Sequence, residues 1–78
     1  MADTDNDIIA AIVTALTTAE AEFPPFYSNI DGWATIDAEM DELRDSIKEQ
    51  PRIDDYADMR IKAIQIAAMA IRFVKDLC

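Results

Sequence analysis

Three prolines cut this 78-residue chain into three stretches, and that punctuation constrains its fold more than any other feature. Pro24 and Pro25 stand together after the first stretch, and Pro51 follows Gln50 after the second. A proline pair cannot continue an α-helix, and each proline restricts the residue before it to extended backbone. Between these breaks, apolar residues recur every three or four positions, which is the helical period. The expectation is an all-α, three-helix bundle in a single domain over 1–78, with helices at about 5–22, 31–50 and 53–77.

In the first stretch Ile9, Ile12, Val13, Leu16, Ala19 and Phe23 keep that period, and Asp3, Thr4 and Asp5 are all suitable N-caps. Phe23, Phe26, Tyr27 and Ile30 surround the proline pair, so this loop is expected to pack down over the helices. In the second stretch Trp33, Ile36, Met40, Leu43 and Ile47 form one apolar stripe, with Glu39 and Glu42 one turn apart at its edge. Two stacked carboxylates beside such a seam are read either as half of a divalent-metal site or as a solvated flank.

The last stretch is a long helix that is apolar nearly all round from Ala63 to Ile71. A helix apolar on every side is buried on every side. Three helices do not easily surround it, so Ala63, Ala67, Ala70 and Met69 are expected to meet a second copy. The 51% hydrophobic content points the same way, because a chain this short buries only about 60% of the surface its unfolded form exposes. One mostly polar ridge crosses this helix: Asp58, Lys62, Gln65, Met69, Arg72 and Asp76 share a narrow sector, with Asp58–Lys62 and Arg72–Asp76 at ion-pair spacing.

Composition removes several chemistries. There is no histidine, which excludes histidine-based nucleophilic catalysis and ordinary zinc sites. The single glycine, Gly32, excludes a Gly-rich phosphate loop. The lone Cys78 allows no intrachain disulfide and suits a reducing, cytoplasmic setting. The acidic start is unlike a signal peptide, and no apolar run is long enough to span a membrane.

The net charge of −9 is unevenly placed. Residues 1–43 hold ten acids and no Lys or Arg, whereas residues 44–78 hold six acids and seven bases. Direct nucleic-acid binding needs clustered Lys and Arg and is disfavoured. The acidic half suits a basic protein partner, bound cations, or solubility alone.

The strings FPPFYSNIDGWATIDAEMDELRDSIKE and MRIKAIQIAAMAIRFVKDL resemble the short, often phage-encoded members of the MazG-like group of all-α nucleotide pyrophosphohydrolases. Glu39-Met-Asp-Glu42 is similar to that family's E-x-x-E. The resemblance implies an oligomeric bundle, dimeric or tetrameric, that binds Mg²⁺ and cleaves a nucleoside triphosphate to monophosphate and pyrophosphate.

It also implies a second acidic pair, E-x-x-D, on the final helix. This chain has Lys62-Ala-Ile-Gln65 there. Lys62 then repels the metal and offers Glu39 or Glu42 a salt bridge, or it contacts nucleotide phosphates directly. Asp58, one turn earlier, is the best supplementary ligand, with Asp54 and Asp55 behind it. The expected function is therefore binding by a protein with a degenerate metal site, as a phage- or prophage-encoded inhibitor of a host protein with a basic surface. No cofactor is expected on this reading. The alternative is a Mg²⁺-dependent nucleoside triphosphate pyrophosphohydrolase.

Overall fold

The computed structural model describes residues 3–49 and 56–78. These form α1 (Asp5–Glu22), α2 (Asn29–Glu49) and α3 (Ala57–Leu77), with no strand among the described residues. The predicted opening of the last helix at Arg52–Asp55, including Asp54 and Asp55, lies outside the described residues.

Thr4 is the residue that caps α1. Its hydroxyl accepts from the Asp7 amide at 3.1 Å, and its own amide donates to the Asp7 carboxylate at 3.1 Å. Those bonds to Thr4, its amide first, lower the Asp7 pKa. Phe23, held extended before Pro24, ends the helix. α2 starts at Asn29, two residues earlier than predicted, because Ser28 caps it: the Ser28 hydroxyl accepts from the Asp31 amide at 3.1 Å.

α3 is the middle element. It packs against α1 on one side and α2 on the other, while α1 and α2 do not pack on each other among the described residues. Asp3 pairs with Arg60 at 2.5 Å near the start of both α1 and α3, and Glu20 pairs with Lys75 at 2.8 Å near both ends, so these helices run parallel. α2 runs antiparallel to α3. Gly32 at its start lies beneath Phe73 and Leu77, and Ser46 near its end hydrogen-bonds Asp58.

Gly32 permits this approach because it lacks a side chain. A Cβ there would lie 2.6 Å from Phe73 Cδ2 and 2.8 Å from Cε2. The core is small: Leu16, Phe26, Ala68 and Met69, with Ile12, Ala15, Ala19, Ile36, Phe73 and Leu77 packed around it.

Several expectations are corrected here. The α2 stripe divides: Ile36 and Leu43 are half-buried, but Trp33 is 60% exposed and Met40 and Ile47 are also exposed. The reason is that α2 has one neighbour, so only part of a wide stripe is covered. Ile9 and Val13 of α1 are exposed for the same reason, and α3 is not enclosed on every side. In the loop Phe26 is buried whereas Tyr27 is 88% exposed. Asp58 and Lys62 do not pair with each other; Asp58 accepts from Ser46 and Lys62 donates to Glu42.

Candidate functional site

Because α1 and α2 diverge, a cleft of about 620 Å³ opens between them. Its floor is the polar ridge of α3, with Gln65 and Arg72 beside Ala68 and Met69. The α1 wall carries Glu22, and the α2 wall carries Asp31 and Glu39. The loop from Phe23 to Tyr27 closes one end.

Arg72 holds that end in place. It is only 3% exposed, and a guanidinium removed from water needs acceptors around it. Its Nη2 donates to the carbonyl oxygens of Phe23 and Pro24, and its Nε lies 3.4 Å from Asp76 Oδ2. That Nε contact is an ion pair without a well-aligned hydrogen bond, and Nε has no other partner. The guanidinium also faces the Phe26 ring at 4.5 Å. Asp76 Oδ2 in turn accepts from the Phe26 amide at 2.9 Å. Sequence reading placed Arg72 with Asp76 but missed the loop carbonyls. The available signal was a lone arginine within an apolar helix beside a proline loop whose carbonyls lack helical partners.

The E-x-x-E carboxylates have different surroundings. Lys62 Nζ donates to Glu42 Oε1 at 3.0 Å. That hydrogen bond, followed by the Glu42 charge, raises the lysine pKa. Glu39 turns into the cleft. Its Oε2 is buried and has no hydrogen-bond partner. Burial raises the Glu39 pKa above the usual carboxylate value of 4.5, Glu42 adds to the rise and Lys62 opposes it.

The cleft therefore brings Glu39 together with Gln65, while Glu42 and Lys62 form a pair outside its lining. Asp58 is bound to Ser46, and among the described residues no three acidic or cysteine side chains converge as a metal-ligand set. Met69 lies in the core and lines the cleft, whereas Ala63 and Ala70 are exposed, and by helical spacing with Ala67 they share the opposite face of α3. Met69 therefore does not share a face with the three alanines.

Comparison of the chain with protein-family models, curated proteins and solved structures finds no match. The site is an acidic, partly apolar cleft whose arginine is held by the Phe23 and Pro24 carbonyls and Asp76. Among the described residues, no helix is long and apolar enough to cross a membrane.

Proposed function

We propose that this chain is a non-catalytic binding protein of MazG-like type, in which an ion pair has replaced the metal site. The observation that carries this reading is the 3.0 Å contact from Lys62 Nζ to Glu42 Oε1. Magnesium takes hard oxygen ligands in near-ideal octahedral geometry. Here one carboxylate of the E-x-x-E pair already holds an ammonium group, and Gln65, where the resemblance implies an acid, is neutral. This donor set does not fit the ion.

Binding then rests on two surfaces. The acidic cleft takes a basic protein partner, in keeping with ten acids and no base in residues 1–43. The opposite face of the helical layer serves self-association. By helical spacing, Ala63, Ala67, Ala70 and Val74 of α3 lie there between Ile9 and Val13 of α1 and Trp33, Met40 and Ile47 of α2. Ile9, Val13, Trp33, Met40, Ile47 and Val74 are each at least half exposed on the isolated chain, which is apolar surface that a second copy would cover.

The occupant of that face is a second copy. None of these side chains is an acid, so two chains of net charge −9 can meet there without opposing carboxylates at the centre. The phage-encoded inhibitor reading follows from the family resemblance and from this acidity.

The deciding measurement is pyrophosphate release from a panel of nucleoside triphosphates, titrated with Mg²⁺ and Mn²⁺. No turnover is expected. Metal-dependent turnover that disappears in Glu39→Gln overturns the proposal in favour of the pyrophosphohydrolase.

A further inference from the structure

We propose that the cleft between α1 and α2 is the seat of a fourth helix: a basic, amphipathic helix from the partner protein. This rests on the binding reading above and specifies what is bound. The helical layer has the form of a four-helix bundle lacking one member. α1 and α2 each pack on α3, and the position between them is open. Small residues, Ala15, Ala19 and Ala68, line it and allow an incoming backbone to approach closely. Met69 offers an adaptable apolar contact beside them.

The walls define the charge of the occupant. Glu22 stands on one side, with Asp31 and Glu39 on the other. The one cation in the lining, Arg72, is already committed to Asp76 and to the loop carbonyls. Three carboxylates repel a phosphate-bearing ligand and attract Lys or Arg. Glu39 Oε2 makes the requirement specific. It is a buried acceptor with no donor, and rotation of the side chain toward a guanidinium or ammonium of the occupant gives it one.

At the closed end, exposed Phe23 and Tyr27 offer ring faces for the aliphatic stem of such a side chain. The occupant therefore carries an apolar stripe at i, i+3, i+4 and i+7, flanked by Lys or Arg, as in helix-in-groove recognition. The chain's own α1 cannot fill this role in a second copy. It carries Asp5, Asp7, Glu20 and Glu22 and no base.

The test uses the full chain and three fluorescent peptides of about four helical turns. The first has a Leu/Ala stripe flanked by Arg. The second has the same composition with the stripe scrambled, and the third has Glu in place of every Arg. Anisotropy is expected to show saturable binding of the first peptide, at least tenfold tighter than either control. Circular dichroism should show helix induced in the bound peptide. Affinity should weaken as salt rises through the range where exposed charges are screened.

Glu39→Lys and, separately, Ala15→Trp should each weaken binding at least tenfold. Each variant is first verified as folded by its helical signal and its cooperative melt. Equal binding of the scrambled peptide overturns the proposal, since it reports charge attraction alone. So does binding unaffected by both substitutions. Dissociation of a self-associated wild type by Ala15→Trp, read by sedimentation, also overturns it by assigning the cleft to a second copy. Pyrophosphate release is measured separately. Absent binding with absent turnover rejects the groove alone, whereas turnover rejects the non-catalytic reading alone.

Discussion

Lys62 Nζ lies 3.0 Å from Glu42 Oε1, so a cation from α3 occupies one of the two carboxylates that α2 presents one turn apart. If this pair replaces a metal, restoring the acids should restore metal dependence. Lys62→Glu combined with Gln65→Asp would place four carboxyls near one another. Like-charge repulsion should lower its melting temperature without metal. Millimolar Mg²⁺ should raise the melting temperature of the double variant and leave the wild type unchanged. Equal responses of the two proteins would reject the ion-pair replacement.

Glu39 gives a pH-dependent prediction. Its folded-state pKa is raised, by burial first and by Glu42 second, so the folded chain binds this proton more tightly than the unfolded chain does. The destabilisation is absent below the ordinary carboxylate value of 4.5 and complete above the raised one. Stability therefore falls as pH rises through that window. Glu39→Gln should be more stable than wild type at pH 7, because the amide has no charge to desolvate and does not repel Glu42. The advantage should vanish at low pH. Urea melts across the acid range measure the difference, and a pH-independent difference would rule out this account.

Gly32→Ala sets two effects against each other. Alanine gains about 1 kcal/mol of helix propensity over glycine. Its Cβ, however, meets Phe73 at 2.6 and 2.8 Å and Leu77 at 3.1 Å. Overpacking of this kind costs about 1–3 kcal/mol, so the net effect should be a loss of about 1 kcal/mol. Thermal melts give the sign directly, and a stabilised variant would mean that the Phe73 ring moves aside freely.

Arg72→Ala should be far worse. It leaves Asp76, itself largely buried, without its counter-charge, and it frees the carbonyls of Phe23 and Pro24. Removing one member of a buried pair costs about 3–5 kcal/mol. For so short a chain that is close to its whole stability. Chemical denaturation should show the loss. A loss below about 1 kcal/mol would place the Arg72 partners in water.

Val74→Glu tests self-association. Val74 is 61% exposed, so the change should alter the isolated chain by no more than about 0.5 kcal/mol. Two copies meeting on that face would bring two new carboxylates into an apolar centre. Sedimentation equilibrium should show a concentration-dependent dimer for the wild type and a monomer for the variant.

The sequence shows the prolines, caps and helical periods, and these locate α1 and α2 to within two residues at their starts. It shows much less of where each apolar stripe goes. The Trp33–Ile47 stripe has the same period whether one neighbour covers it or two, so its exposed half was not legible. Period is equally silent on which helices touch, and the separation of α1 from α2 creates the cleft. Glu39 and Glu42 look equivalent in E-x-x-E. Their different fates depend on Lys62 reaching Glu42 from α3, a contact across twenty positions.

The parallel placement of α1 against α3 also bears on how the chain folds. α2 and α3 are consecutive and antiparallel, and they associate through a short connection. The Asp3–Arg60 and Glu20–Lys75 contacts span most of the chain and carry the larger loop-closure cost. On this cost alone, α1 is expected to dock after α2 and α3 have paired. Until that late step the cleft has only one wall, so a partner that needs both walls recognises only the completed fold.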